Sequence, residues 1–412
     1  MNDHSTNSDA AMSHPLRDVR IPRNWDRRGL SAWSYHSQAL FELELEHVFR
    51  RHWQIAGHIS DIPQSGHYFT FDIAGERALI LRGRDGVVRA FHNMCRHRGS
   101  RVVADERGHC RNALVCPFHG WVYNLDGTLR GAAQPATFPD LAHEAFRLRP
   151  LDLEIWMGFI FVRFKEGPQP AVRELMQPFA EEFSHYRPET VVPANGFWTQ
   201  VSPVNWKSVR DVDNEGYHVA MAHPALQDLY GTTYYDEPFV NGVSRSYASY
   251  NPHAGRRWSV RHYVRIAEEP EHLPPDLKKA WVYYGLFPNA VIATTPESIQ
   301  FYQEVPLSPS RTMLRGAIYH YPNETRRARA ARYLASRIDR DTTAEDVQLT
   351  IWSNESMLSR AFEGFFLSDL EYGVRTHHDH LRKVLPVLDQ ETAPPEEEMA
   401  ALNAALLAAT AS

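Results

Sequence analysis

Cysteine is scarce in this chain of 412 residues: only Cys95, Cys110 and Cys116 occur. So few thiols in so long a chain exclude a disulfide framework and fit a reducing compartment, while their confinement to one short stretch points to metal. Long apolar runs are missing too. The longest, Ile155 to Val162, is far too short to span a bilayer, so no membrane partner is expected. The start, Met1 to Pro15, is polar and has neither the basic n-region nor the apolar h-region of a signal peptide; it reads as a disordered lead-in. With 44 basic and 50 acidic residues the formal net charge is -6, and no run of like charge is long enough to serve as an interaction tail, which argues against nucleic acid as a partner. No G-x-G-x-x-G follows a strand-like run, so nothing here binds a dinucleotide. A soluble cytoplasmic protein is the expectation.

What is present changes character twice along the chain. From about Trp53 to Phe164, short β-rich runs (Trp53 to Ala56, Tyr68 to Phe71, Ala78 to Leu81, Val87 to Phe91) are broken by the turn pairs Asp85-Gly86 and Asp126-Gly127. This is a small all-β module. Beyond a Pro-containing connector near Gly167 to Pro170, helical periods (Val172 to Tyr186, Arg326 to Ile338, Thr343 to Phe362, Leu370 to Leu385) surround a strand-rich middle from Trp281 to His320, which reads as an α+β domain. A helical stretch from Gln38 to Arg50 precedes the β module, so the module reads as inserted near the N-terminus of the larger domain. The Ala-rich tail after Glu396 reads as a terminal helix. The expected division is a lead-in with a helix packed on the larger domain (1–45), the β module (46–165) and the α+β domain (166–412).

The sharpest motif lies in the β module. Cys95-Arg96-His97 is followed, after 18 intervening residues, by Cys116-Pro117-Phe118-His119. Each half supplies one thiolate and one imidazole, and two such halves can ligate the two irons of a Rieske [2Fe-2S] centre, in which two Cys hold one iron and two His the other. A Cys2His2 zinc site is the rival, but zinc fingers pair like ligands in sequence, whereas each pair here is mixed. Cys110 sits between the halves without a histidine partner and reads as a plain thiol.

The segments "CRHRGS" and "CPFHGWVYNLDG" closely resemble the two cluster-binding loops of Rieske ring-hydroxylating oxygenase α subunits, with a separation about one residue longer than is usual there. That resemblance implies a helix-grip catalytic domain behind the β module and a second, mononuclear iron. A match stands in Asn205-Trp206-Lys207, Glu215-Gly216-Tyr217-His218 and His223-Pro224, "NWK...EGYH...HP". Non-haem Fe(II) oxygenases hold iron with two His and one carboxylate on one face and leave positions open for dioxygen and substrate. On an unbroken helix His218 and His223 would point about 140° apart; Pro224 disfavours helical geometry at His223, so the helix should end there and let the second imidazole swing back. For the third ligand the resemblance favours Asp346, in a Glu-Asp pair, over Glu345 and Asp341. Thr342 to Asp346 reads as a capping box that opens a helix, with Asp346 in its first turn, where dipole compensation is the ordinary role of an acid.

In similar aromatic-ring dioxygenases an Asp three residues before the first iron-binding His bridges to the cluster of a neighbouring subunit. Here that residue is Glu215, one methylene longer, as in oxygenases of quaternary ammonium compounds such as betaines and carnitine. Asp211, with Val212 and Asp213, replaces the more usual Glu-Asn run, so Glu215 and Asp211 are the candidate catalytic carboxylates. The family further implies a separate NAD(P)H-dependent reductase or ferredoxin and a head-to-tail homotrimer. The expected activity is hydroxylation or N-demethylation of a small ammonium compound with O2. Hydroxylation of an aromatic acid and a non-catalytic electron carrier are the alternatives. His377, His378 and His380 do not share a helix face and read as a partly exposed surface. Tyr283, Tyr284, Phe287 and Phe301 fall on probable strands that could line a pocket and cage an ammonium group, although core packing is the ordinary reading for each.

Overall fold

The computed structural model describes residues 21–411, so the lead-in expected for Met1 to Pro15 lies outside the described residues. The first helix, Gln38–Leu43, is capped by Ser37, whose hydroxyl accepts from the Leu40 amide at 3.1 Å, and runs on as a π-helical turn over Glu44–Phe49. Its buried side, Leu40, Val48 and Phe49, shares a core with Leu388 and with Met399 of the C-terminal helix Met399–Ala411.

The β-rich part is built from three small antiparallel sheets. Val88–His92, Glu76–Arg82, His67–Ile73 and Arg107–His109 form the largest, in that spatial order. Leu114–Val115, Val122–Tyr123 and Leu129–Gly131 form a meander beside it. The third sheet joins the two ends of the module: Gln54–His58 pairs with Phe159–Arg163, which pairs with Asp152–Trp156. Glutamine and arginine side chains of the second domain tie down the first of these strands, with Gln303 Nε2 donating to the Ile55 carbonyl at 2.6 Å and Arg315 Nη2 to that of Ala56 at 2.8 Å.

An antiparallel eight-stranded sheet dominates the second part. Its order is Val192–Pro193, Arg311–His320, Ser298–Ser308, Ala290–Thr295, Ala280–Leu286, Val243–Ser249 and Tyr235–Val240, and Trp198–Ser202 also pairs with Arg311–His320. Strand side chains alternate between faces. Val282, Tyr284, Leu286, Ile299 and Phe301 therefore pack into a core with Trp53, Phe159 and the helical segment that includes Phe179 and Phe183. Tyr283, Gly285, Gln300, Tyr302 and Glu304 point the other way, into a cavity roofed by helices. The molecule is α+β, with a β-rich module ahead of a sheet-and-helix domain.

Three sequence expectations are corrected. The sequence predicts two helices, Arg326 to Ile338 and Thr343 to Phe362, the second opened by a capping box at Thr342, but one continuous helix spans Arg326–Ser356, capped by Thr325. Thr342 and Thr343 lie inside it, their hydroxyls donating back to the carbonyls of Ile338 (3.0 Å) and Asp339 (2.9 Å), so side chains that read as a cap are absorbed by the preceding turn. His377 and His378 are fully buried rather than partly exposed: His377 Nε2 lies 2.9 Å from the Pro288 carbonyl, and His378 Nε2 lies 2.8 Å from Asp211 Oδ1. Of the four aromatic residues offered for a pocket, Tyr284, Phe287 and Phe301 belong to cores and only Tyr283 reaches the cavity. No described helix is long and apolar enough to cross a membrane.

Candidate iron centres

Two loops at the tip of the β module share one backbone design. In the first, the Cys95 amide donates to the Ser100 carbonyl at 2.7 Å and the Gly99 amide to the Cys95 carbonyl at 3.0 Å. In the second, the Cys116 amide donates to Trp121 at 2.8 Å and the Gly120 amide to Cys116 at 3.0 Å. Both turns need a positive φ at the glycine, 74° at Gly99 and 68° at Gly120, which other residues reach only with strain. Repetition of one turn presents two Cys/His pairs to a shared space. Both sulfurs are buried, and the His97 and His119 rings meet edge to face with centroids 4.7 Å apart. Nδ1 of both imidazoles is buried without a hydrogen-bond partner, an arrangement that costs free energy unless something binds there. Two buried thiols and two orphaned imidazole nitrogens fit the donor set of a Rieske cluster.

The surroundings tune those donors. Burial pushes the Cys95 thiol up, which Tyr123 opposes: the Tyr123 hydroxyl accepts from the Arg96 amide at 3.0 Å and lies 3.3 Å from Cys95 Sγ, with its own proton free to face the sulfur. A hydrogen bond to a ligating sulfur favours its charged form and shifts the cluster potential. Trp121 stacks on His97 at 5.1 Å with the rings 6° from parallel. Cys110 stands at the end of strand Arg107–His109, half-buried and outside both turns.

The second constellation begins at a buried anchor. Asn205 caps the helix Trp206–Asp213 by accepting from the Lys207 amide at 3.0 Å. Trp206 Nε1 donates to Glu44 at 2.9 Å, and the Lys207 ammonium pairs with the same carboxylate. Arg210, also buried, makes a bidentate pair with Glu304 at 2.6 Å and reaches Asp213 at 2.9 Å. These pairs fix the helix on the sheet, so the segment that follows starts from a rigid base. Gly216 is required there by close approach, since a Cβ would sit 1.9 Å from the Tyr234 ring.

His218 then opens a single helical turn, Val219–Ala222, which stops at His223 (φ -119°, ψ 79°), and Pro224 starts the next helix, Pro224–Tyr230. This break brings back the second imidazole, because an unbroken helix would have turned it away. Nε2 of His218 and Nε2 of His223 lie 3.0 Å apart, and Asp346 Oδ1, from the long helix, is 2.9 Å from the second and 3.5 Å from the first. Three atoms that all bear lone pairs converge. Asp346 Oδ1 is buried and makes no well-directed hydrogen bond. For metal bonds of about 2.1 Å, ligands at right angles stand about 3.0 Å apart, so the three edges fit one face of an octahedral ion. His218 is 21% and Asp346 27% exposed, which leaves the opposite side of that face open to the cavity.

Two carboxylates orient the rings from behind. Glu215 Oε1 lies 2.5 Å from His218 Nδ1, while its Oε2 accepts from the backbone amides of Tyr217 and of His218. Glu345, offered from sequence as a rival ligand, instead lies 2.9 Å from His223 Nδ1. Each carboxylate keeps the proton on Nδ1 and turns the Nε2 lone pair inward, as is usual for metal-bound histidine. Burial opposes charge on His218, but Asp346 and Glu215 outweigh it and raise the imidazole to about 10. His223 is raised and Asp346 lowered through the same contacts. A converging acceptor set that draws in a proton so strongly is one that a cation satisfies.

Asp211 does not join this group. It sits on the far side of its helix, accepting from the Tyr35 hydroxyl at 2.5 Å and facing His378 at 2.8 Å, and it is absent from the cavity wall. Through these contacts it ties the N-terminal segment and the helix Tyr372–Val384 to Trp206–Asp213. The cavity behind the metal face, about 190 Å³, is walled by Tyr230, Tyr234, Tyr283 and Tyr302, with Asp339 and Gln300 also on its wall. Of these only Tyr283 was picked out from sequence. The stripe Asp339, Thr342, Thr343, Asp346, Val347 and Thr350, spaced by three or four on one helix, is the pattern that could have led to the rest.

A module with paired Cys/His turns stands ahead of a sheet-and-helix domain that carries a two-histidine, one-carboxylate face, two donor sets that fit iron. Residues 52–143 match the Rieske [2Fe-2S] domain and residues 185–386 match the ring hydroxylating alpha subunit catalytic domain; the chain belongs to this family of Rieske non-haem iron oxygenases. It is 33% identical over 224 residues to the carnitine monooxygenase oxygenase subunit of Escherichia coli K12, a match covering 53% of this chain and 59% of that protein. Against the glycine betaine monooxygenase oxygenase subunit of Pseudomonas aeruginosa UCBPP-PA14 it is 36% identical over 192 residues, 47% of this chain and 44% of the relative. The chain thus matches 44% to 59% of the length of these relatives. In fold it is similar to the quaternary ammonium Rieske monooxygenase CntA solved with L-carnitine, with a TM-score of 0.70 at 23% identity over 87% of this chain and 95% of that one.

Proposed function

We propose that the chain is the terminal oxygenase of a multicomponent system that hydroxylates a quaternary ammonium compound at an N-methyl group, with electrons from NAD(P)H delivered by a separate reductase or ferredoxin. The observation that carries this reading is the open three-atom face of His218, His223 and Asp346 at the mouth of a tyrosine-walled cavity. Tyrosine faces attract cations, and desolvation inside a cavity strengthens that attraction. The carnitine and glycine betaine relatives point to the same substrate class.

Cys95, Cys116, His97 and His119 would hold the [2Fe-2S] cluster, which supplies electrons one at a time. His218, His223 and Asp346 would hold Fe(II), which supplies the site where dioxygen binds and is reduced. The remaining work belongs to the polypeptide. Glu215 and Glu345 hold protons at the two Nδ1 atoms. Val219 and Leu226 line the cavity beside the face and exclude water from it, while the tyrosines seat the ammonium head. In sum, O2, two electrons and two protons convert N–CH3 to N–CH2OH and water; the carbinol then breaks its C–N bond to leave formaldehyde, a tertiary amine and a proton.

Within one chain, no hydrogen bond, ion pair or ring contact among the described residues links His97 or His119 to His218 or Glu215. A structure of a quaternary ammonium Rieske monooxygenase of this fold is described as showing inter-subunit electron transfer, and the same reading here runs the electron path between neighbouring subunits through Glu215, across a head-to-tail interface that closes as a homotrimer. We place the assembly in the cytoplasm. Oxygen uptake by the purified protein with a surrogate reductase and NADH, measured across choline, glycine betaine, carnitine and aromatic acids, tests the substrate class. Stimulation by an ammonium compound with release of formaldehyde is expected. Stimulation by aromatic acids alone would move the reaction to ring hydroxylation, and stimulation by none would contradict the assignment.

A further inference from the structure

The cavity's charges are unevenly satisfied. Among the described residues Arg210 is the single Arg or Lys on its wall, and all three of its guanidinium nitrogens are taken, two by Glu304 and one by Asp213, so it has no fork left for a ligand. Two carboxylates already share that one guanidinium. A ligand carboxylate calls for a free Arg or Lys, and a desolvated one without a partner is costly. Nothing on this wall offers that partner.

Asp339 is in the opposite position. Gln300 Nε2 donates to its Oδ2 at 2.9 Å, and Tyr230 and Tyr283, their hydroxyls 3.0 Å apart, stand beside it. No described Arg, Lys or His forms an ion pair with it, and it lines the cavity. Burial pushes this carboxyl up to about 6, against the Gln300 hydrogen bond and the charge of Arg340, the behaviour of an acid set in an apolar place without an ion-pair partner. Asp339 and Asp346 are seven residues apart on one helix, about 10.5 Å along its axis at 1.5 Å per residue. A small organic cation fits between the free carboxylate and the metal face.

We infer that Asp339 is the counter-ion of the substrate's ammonium group, and that with Arg210 saturated the cavity selects a cation without a carboxylate, choline-like rather than betaine-like. The inference rests on the ammonium reading above and narrows it. Like charge then works against the zwitterions, so discrimination comes from repulsion as well as attraction.

Calorimetric titration of the purified, iron-loaded protein tests this with choline, glycine betaine, carnitine and the neutral tert-butyl isostere of choline. The expected result is a preference for choline of about tenfold or more over both the isostere and the zwitterions. In Asp339→Asn, with cluster absorption and iron content as in the parent protein, the choline-to-isostere ratio should collapse towards unity while the isostere keeps its Kd. The inference is overturned if glycine betaine or carnitine binds the parent protein as tightly as choline, or if Asp339→Asn keeps the ratio. Those outcomes leave the ammonium reading standing. Binding of no ammonium compound at all would overturn both.

Discussion

Changing Glu215 to Gln is expected to leave both metal centres filled and to lower product formation by about 100-fold or more, beyond the 10–100-fold usual for a group behind a metal ligand. Glu215 has three donors to satisfy: the His218 Nδ1 proton on one oxygen and the backbone amides of Tyr217 and His218 on the other. Gln has one acceptor. If its oxygen serves the amides, its NH2 meets the imidazole donor head-on; if it serves the imidazole, the NH2 meets two backbone donors. Either choice tilts the ring or shifts its proton, without removing a ligand. The substitution also removes the charge that the bridging proposal places between subunits. The checks are iron content, the visible spectrum of the cluster and product per reducing equivalent. Wild-type turnover at full iron content would remove Glu215 from the mechanism, and loss of iron would make it a purely structural support.

Asp346→Ala should act at the metal itself. Its Oδ1 faces both Nε2 atoms, and no other carboxylate among the described residues reaches both, because Glu345 is committed to His223 Nδ1. Removing it leaves two neutral ligands for a dication. Iron per chain should fall from about three to about two, the two of the cluster remaining, with oxygen-dependent product formation reduced to background and the cluster absorption unchanged. Retention of about three irons per chain would show that another group completes the set.

The contrast between these predictions and the sequence reading shows which features were legible. The cluster motif is local: two tight turns, each with its ligands within four residues, carry their geometry in their own Cys, His and Gly positions. The histidine pair was legible for a related reason, since Pro224 marks the break that lets His223 turn back. Asp346 rested on resemblance, because nothing local distinguishes an acid that ends up opposite two imidazoles from more than 100 residues away. Its supposed capping box misled: Thr and Glu at cap spacing also occur inside a helix once the threonine hydroxyls can bond to the preceding turn. That Asp211 lies away from the cavity was not legible, because sequence does not say which way a helix is rotated, and Tyr35 and His378 decide that from opposite ends of the chain. The cavity was the least legible part. Tyr302 and Phe301 are neighbours, and only the sheet's register puts one in the cavity and the other in the core.

The most direct test of the two-centre account is a single turnover. The reconstituted protein is reduced without a reductase present, then mixed with oxygen-saturated buffer with and without choline, following the cluster absorption and formaldehyde together. The account predicts that choline speeds return of the oxidised-cluster bands and that formaldehyde rises with them. Return at one slow rate regardless of any ammonium compound, with no formaldehyde, would contradict it.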